Sequence, residues 1–412
     1  MIVMEYFLYV SLFITLYFQI FLLVSFFEKK KGNGKEISQE GTIKYLSTTI
    51  IVPCFNEEST VEKTIESLLE LDYPKEKLTI MIVDDGSTDT TWNVVQKYQN
   101  HPQISLQQKI NEGSKFAALN FALIHIETEL VGVLDADSWV DSQALKYYME
   151  FFADDKVMAT IPSMVIGKPK SILQKAQKAE YDIGLFARKA FANINSIYIT
   201  PGPFSVFRKE VFDTLGPYKE AHHTEDAEIA LRMQRHHYKI AYSEKSIVYT
   251  VGPCKLHPLI KQRVRWVYGF IRNIYDYRNM LFKKEYRALG LIVLPLGIFR
   301  VFITVVLFPL SLWLIILPLI RWIEKISLIG YSFNIGTSID WYFVNITQIH
   351  LFAIIGLLLS FAVLWIGREL INDKRKFTVD IIYMLFMYTF IAPLWLIKSS
   401  YNALLSKKSS WR

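Results

Sequence analysis

The sequence predicts an α/β domain, a mostly parallel sheet with helices on both faces, combined with α-helical transmembrane segments. Three observations carry this. Between Thr48 and Asp137 short apolar, β-branched runs alternate with helical patterns, and such alternation implies a mostly parallel sheet covered by helices. Apolar residues cluster at the two ends of the 412-residue chain, in segments long enough to cross a bilayer core of about 30 Å. Between these ends, clusters of acidic residues fall where the strands finish, and in such sheets ligands bind beyond the carboxyl ends of the strands.

The elements follow in order. Met4 to Phe27 carries only Glu5 as a charge and runs straight into "EKKKGNGK". It has neither a basic leading region nor a small-residue cleavage site, so residues 1–28 read as an uncleaved anchor, with 29–47 as a polar linker. In the domain over 48–256, "TTIIVP", "LTIMIVDD", "ISLQQ" and "VGVLDAD" read as strands. "STVEKTIESLLEL", opened by a capping box from Ser59 to Glu62, "TDTTWNVVQKYQ" and "SKFAALNFALIHI" read as helices. An amphipathic helix starts near Pro258: Ile260, Val264, Val267, Ile271 and Ile274 recur at three- and four-residue spacing, which assigns 257–288 to the membrane surface. Residues 289–412 read as about three spans. Leu289 to Ile320, with Arg300, Pro295, Pro309 and Pro318, is long enough for an interfacial stretch followed by a span. His350 to Ile366 and Thr378 to Ile397 supply two more.

Charge sets sidedness. The flanks "EKKKGNGK", "FKKEYR" and "NDKRK" belong on the cytoplasmic side, which places the α/β domain in the cytoplasm beneath the plasma membrane. Three C-terminal crossings would then leave the basic tail "SKKSSWR" outside, against the same rule. The formal charge of +7 is concentrated near membrane boundaries, where it attracts anionic headgroups, and does not suggest nucleic acid. Two cysteines, Cys54 and Cys254, fit a reduced compartment and support neither a disulfide framework nor a zinc cluster. His222, His223, His236 and His237 lack metal-site spacing and read as solvated loop and helix-end residues.

"VGVLDADSWV" poses the chemical question. A buried carboxylate is costly unless a cation, a hydrogen-bond network or water meets it, and Asp135 with Asp137 suggests a metal. Taken alone, "DDGSTD" is as readily an acidic turn and "DAD" a chance match. Their occurrence with "PCFNEE" at successive strand ends is much rarer.

In order, "VPCFNEE", "VDDGSTD", "LDAD", and the pair "TED" (Thr224 to Asp226) with "QRVRW" (Gln262 to Trp266) resemble the motifs of glycosyltransferase family 2. The resemblance covers roughly Thr48 to Tyr268 and implies a GT-A fold. T-E-D followed by Q-x-x-R-W resembles the membrane-embedded, often processive branch that makes cellulose, chitin, hyaluronan and poly-N-acetylglucosamine.

The resemblance assigns roles that elementary chemistry supports. A sugar nucleotide carries a diphosphate that Mg2+ or Mn2+ neutralises, using one or two carboxylates plus phosphate oxygens and water. Asp135 and Asp137 can point the same way if the strand continues that far. By resemblance Asp137 is the direct metal ligand, while Asp135 faces the nucleotide and completes the metal pair. Asp85 resembles the uracil or ribose contact, with Asp84 supporting the turn. Asn56 and Glu57 lie in the loop that closes over the nucleoside. Lys115 occupies the place of a basic residue near the nucleotide, and a solvated lysine opening a helix remains an equal reading. Asp226 is the expected general base, with helix capping as its alternative. Glu225 and Gly202 fall on the acceptor side. Arg265 would meet the diphosphate, with Gln262 and Trp266 at the acceptor.

The implied activity is membrane-bound, inverting transfer from a UDP-sugar to a growing β-linked polysaccharide, with export through the protein's own spans left open. Chain size, the single N-terminal anchor and the lack of an extra regulatory domain resemble the poly-N-acetylglucosamine makers, hence UDP-N-acetylglucosamine as donor. Two alternatives stand beside it: transfer of one sugar to a lipid-linked acceptor, and an inactive membrane scaffold. Retention of Asp85, Asp135, Asp137, Asp226 and Arg265 argues against the last. Expected partners are the UDP-sugar, a polysaccharide or lipid-linked acceptor and the lipid bilayer, with a small membrane partner subunit left open.

Overall fold

A computed structural model of the chain describes residues 2–28, 43–329, 348–371, 373 and 378–406. Most of the polar linker, most of "NDKRK" and all but the first residue of "SKKSSWR" lie outside the described residues.

Helix α1 (Ile2–Phe27) leads into the α/β domain, which runs β1 (Thr48–Cys54), α2 (Val61–Leu69), β2 (Leu78–Asp84), α3 (Thr91–Gln96), β3 (Ile104–Gln108), α4 (Lys115–Leu123) and β4 (Leu130–Val133). It continues through β5 (Ser138–Val140), α5 (Ala144–Phe152), β6 (Val157–Ile166), α6 (Ile172–Asn193), β7 (Ser205–Arg208), α7 (Glu210–Leu215), α8 (Glu225–Arg235) and β8 (Lys239–Thr250). The eight strands form one sheet in the order β3-β2-β1-β4-β7-β6-β8-β5. The half made of β3, β2, β1 and β4 is parallel, whereas β7 runs antiparallel to both β4 and β6.

The parallel half forms around β1, β2 and β4, which are buried on both faces. Ile50 and Val52 bury into one core with Ile65, Leu68, Ile80, Ile82 and Tyr148. Ile51, between them, points the other way into a second core with Val83, Leu119, Phe207, Ile229 and Met233, as strand alternation requires. The capping box expected from Ser59 and Glu62 does not form. Helix α2 starts one residue later than that box requires, with Thr60 as an N-cap that makes no side-chain cap and whose hydroxyl donates to the Glu57 carboxylate at 2.8 Å. The reciprocal box occurs instead at α6, between Ser171 and Gln174.

Past the sheet lie α9 (Leu256–Asp276), α10 (Leu294–Ile329), α11 (Gln348–Glu369), α12 (Val379–Phe386) and α13 (Ala392–Leu404). Among the described residues four helical segments are long and apolar enough to cross a membrane: Tyr6–Phe27, Leu289–Leu328, Gln348–Glu369 and Val379–Leu404. In the second, a π turn over Leu289–Val293 runs directly into α10. Leu289, Val293 and Leu294 pack with Leu231, Ile274 and Met280, which holds this end of the helix to the α/β domain. Pro309 and Pro318 lie inside α10 without ending it.

Helix α6 joins the two halves. Its sequence is amphipathic and carries no motif, yet it packs against β6 and β8 on one side and α1, α11 and α12 on the other. A β-carbon at Gly367 of α11 would come within 2.0 Å of the Asp182 carbonyl oxygen of α6, so only glycine allows this approach. The next residue, Arg368, is fully buried and donates to Asp182 at 2.9 Å and to Asp380 of α12 at 2.6 Å. At the far end of α6, Asn193 Nδ2 donates to the carbonyls of Ser25 and Phe26 at 3.1 and 2.9 Å, closing the end of α1. Replacing Arg368 by Leu removes the guanidinium from between two buried carboxylates, so we expect a loss of about 3–5 kcal/mol. It should appear as a lowered melting temperature in detergent, and replacing Arg368, Asp182 and Asp380 together by apolar residues should recover most of it.

Candidate active site

A cleft of about 800 Å³ opens at the carboxyl ends of β1, β2 and β4. Each wall is a chain segment that must turn there: the loop after β1, the turns after β2 and β4, the Thr200–Pro203 turn before β7 and the head of α8. Helix α9 lies across the mouth. Every expected site residue except Asn56 lines it: Glu57, Asp85, Lys115, Asp135, Asp137, Gly202, Glu225, Asp226, Gln262, Arg265 and Trp266.

Asn56 serves the loop. Its backbone has φ 56°, its N–H donates to Ser87 Oγ at 3.0 Å, and its side-chain oxygen accepts from the Thr88 N–H at 2.8 Å. It thereby ties the β1 loop to the β2 loop. Behind that tie, buried Asp84 accepts from the Ser87 N–H at 3.2 Å and from Gln108 Nε2 at 2.9 Å, the supporting role expected of it. Asp85 faces the cleft and accepts from Lys109 Nζ at 2.8 Å. Burial raises its carboxyl above the usual range, and Lys109 opposes that shift.

The two aspartates after β4 do not align through strand alternation. β4 ends at Val133, and a turn closed by the Ser138 N–H on the Asp135 carbonyl at 3.0 Å carries both side chains into the cleft. Lys115 pairs with Asp135, and its Nζ lies 3.9 Å from Glu225 Oε1. Its side chain is only 14% exposed, so the reading of a solvated lysine fails. Burial would lower the Lys115 ammonium, but Asp135 and Glu225 outweigh it and raise its pKa. Asp137 accepts from Ser138 Oγ at 3.1 Å. Burial, with Asp135 and Glu57 nearby, pushes its carboxyl up to about 7.

Asp226 lies in the first turn of α8, for which Thr224 is the N-cap. Burial and then Glu225 push its carboxyl up to about 7. Its own carbonyl accepts from the Thr200 N–H at 3.1 Å and hydroxyl at 2.9 Å. Two residues on, Gly202 admits the Lys115–Asp135 pair. A β-carbon there would lie 2.6 Å from Lys115 Nζ and 3.1 Å from both Asp135 carboxylate oxygens. One short turn therefore touches both groups of carboxylates.

Helix α9 begins at Leu256, as expected from Pro258. Its neighbour Arg263 points away from the cleft, paired with Glu180 of α6 at 2.7 Å, with its guanidinium 4.4 Å from the centre of the Trp266 ring, which braces that ring. Tyr181 of α6 and His223 also line the cleft. Sequence reading missed both: α6 has no motif, and the histidines were assigned to solvent. His222 is likewise engaged, 2.9 Å from Asp276.

Among the described residues no three His, Cys, Asp or Glu side chains form a ready metal cage. Mg2+ and Mn2+ bound with a nucleotide use one or two carboxylates and take phosphate oxygens for the rest. The excess negative charge at Asp137 fits such a cation.

A sheet of this topology, with carboxylates and a basic helix converging at its strand ends, defines a GT-A glycosyltransferase. Residues 47–269 match the family described as glycosyltransferase like family 2, and the chain belongs to that family. It is 30% identical over 274 residues to the poly-beta-1,6-N-acetyl-D-glucosamine synthase of Staphylococcus epidermidis, a match covering 65% of each chain. It is 32% identical over 225 residues to the protein of the same name from Staphylococcus aureus, covering 54% of each. The matched stretch thus spans less than two thirds of either relative's length. A solved mannosyltransferase from Pyrobaculum calidifontis, in complex with GDP-Man and Mn2+, shares the fold with a TM-score of 0.64 and 17% identity, over 97% of each chain.

Gly202→Ala should leave the fold intact, because Lys115 can swing aside, but it displaces the Lys115–Asp135 pair. Transfer should fall by about 10²-fold, the usual cost of a misplacement near 1 Å, as measured by initial rates at saturating donor.

Proposed function

We propose that the protein is an inverting glycosyltransferase that takes UDP-N-acetylglucosamine and extends a β-linked poly-N-acetylglucosamine chain at the plasma membrane. The observation that carries this reading is a single cleft with two differently equipped ends. Asp85, Asp135 and Asp137 suit a nucleotide diphosphate with its cation, and Asp226, Gln262 and Trp266 suit a sugar acceptor. The names of the staphylococcal relatives support the choice of sugar and product.

Asp137, with Asp135 beside it, would hold Mg2+ or Mn2+. When bound, the cation neutralises charge on the departing diphosphate. Arg265 presents a planar fork suited to phosphate, and Asp85 receives the uracil or ribose. Trp266 offers a face on which the terminal acceptor sugar stacks. Asp226 accepts the proton of the acceptor hydroxyl while that oxygen bonds to the anomeric carbon. The bond from that carbon to the phosphate oxygen breaks as the new one forms, UDP keeps the electron pair, and the configuration inverts. Lys283, Lys284 and Arg287, ahead of the Leu289–Leu328 span, support a cytoplasmic position for the sheet.

The test incubates membranes containing the protein with a panel of radiolabelled UDP-sugars and Mg2+ or Mn2+, then sizes the product. A long polymer from UDP-N-acetylglucosamine is expected. One sugar on an organic-extractable lipid would replace this reading with glycolipid synthesis, and no transfer from any UDP-sugar would sink it. Asp226→Asn should lower turnover by about 10²–10⁴-fold and leave donor binding nearly intact. Because the base acts ionised and its carboxyl stands at about 7 in the free cleft, kcat/KM should decline as pH falls below that value. Asp137→Ala should weaken cation-dependent UDP binding in a calorimetric titration, and unchanged binding would remove Asp137 from the cation site.

A further inference from the structure

The turn that delivers Asp226 is strained. Ala221, His222 and His223 all occupy the left-handed region, with φ of 40°, 56° and 63°, which residues bearing a β-carbon adopt only when their surroundings hold them there. The holding groups come from one face of α9. Asn273 is buried and donates from Nδ2 to Thr224 Oγ1 at 2.8 Å and to the Thr224 carbonyl at 3.3 Å. Thr224 Oγ1 donates in turn to the Ala221 carbonyl at 3.0 Å, across the strained residues. One helical turn before Asn273, Gly269 makes room for this contact: a β-carbon there would stand 2.1 Å from Thr224 Oγ1. Nearly one turn after it, Asp276 lies 2.9 Å from His222 Nε2, and the His222 ring meets Tyr268 edge-on at 6.1 Å between centroids. Positions 269, 273 and 276 share a helix face, and all three lie beyond "QRVRW".

We propose that Gly269, Asn273 and Asp276 clamp this turn, with Asn273 as the positioning residue that sets where Asp226 stands. Asn273 acts through Thr224, two residues from the base. The same helix carries Gln262, Arg265 and Trp266 two to three turns earlier, so the clamp fixes the spacing between the acceptor platform and the base. Its kinetic consequence rests on the assignment of Asp226 above, whereas its hold on the turn does not.

The test uses the full chain in lipid nanodiscs, as parent, Asn273→Ala, Asn273→Ser, Thr224→Val, and the pair Asn273→Ala with Thr224→Val. Without substrate, hydrogen exchange over residues 220–228 should quicken by about tenfold in Asn273→Ala, with β1 and β2 exchanging as in the parent. In the transfer assay kcat should fall by about 10²-fold with donor KM within about threefold. Asn273→Ser is smaller but still able to donate, and should recover part of the loss. The pair should cost less than the two single losses combined, since the singles share the Asn273–Thr224 Oγ1 contact. Unchanged exchange at 220–228 in Asn273→Ala and Asn273→Ser would overturn the clamp. Quickened exchange with parental kcat would overturn the positioning role while leaving the functional reading in place. A parent that transfers from no UDP-sugar would sink the functional reading, with exchange still deciding the clamp.

Discussion

The site depends on the cost of holding like charges together. Glu57, Asp135, Asp137, Glu225 and Asp226 share one cleft, and carboxylates this close, partly removed from water, cannot all ionise freely. Lys115 offsets part of the excess by pairing with Asp135 beside Glu225. Burial first, and then the negative charge that Lys115 leaves uncompensated, push Asp137 and Asp226 up to about 7. These are the two carboxyls to which the proposed mechanism assigns a cation and a proton. The fold therefore keeps at the site an electrostatic tension that its substrates are suited to relieve.

That tension survives only on a rigid frame, and two helices supply it. Helix α6 is held to the membrane helices by the buried Arg368, Asp182 and Asp380 set and to α1 by Asn193. It gives Glu180 to Arg263 of α9, and Arg263 supports the Trp266 ring. From α9 the connection continues through Asn273 to Thr224 and Asp226, then through Thr200 to the Gly202 turn against Lys115 and Asp135. The long apolar helices, Trp266, Asp226 and the Lys115–Asp135 pair are thus joined by contacts between neighbours.

Much of the site was legible in the sequence because the chemistry sits at strand ends, where residue type and position are tied together. Asp85 follows β2, Asp135 and Asp137 follow β4, and any sheet of this kind presents those places to a ligand. The part Asn56 plays in bracing its loop was not legible, because its bonds to Ser87 and Thr88 depend on how two loops meet. The capping box at Ser59 failed because α2 takes Thr60 as its N-cap, which puts Ser59 and Glu62 out of register. Tyr181, His223 and Asn273 were missed because none belongs to a periodic or spaced pattern, and Asn273 meets Thr224 from 49 residues away.

The sequence by itself determined the α/β class, the apolar spans and the set of acidic and basic groups brought to the cleft, because hydrophobic periodicity and strand-end motifs are local properties. Only the tertiary structure decided how those groups are coupled. It broke β4 at Val133 so that a turn, rather than a strand face, aims Asp135 and Asp137. It paired Lys115 with Asp135 across Gly202, and it brought Asn273 against a left-handed turn that no local preference would form. These are contacts between segments far apart in the chain, and their geometry exists only once the sheet, α6 and α9 have packed.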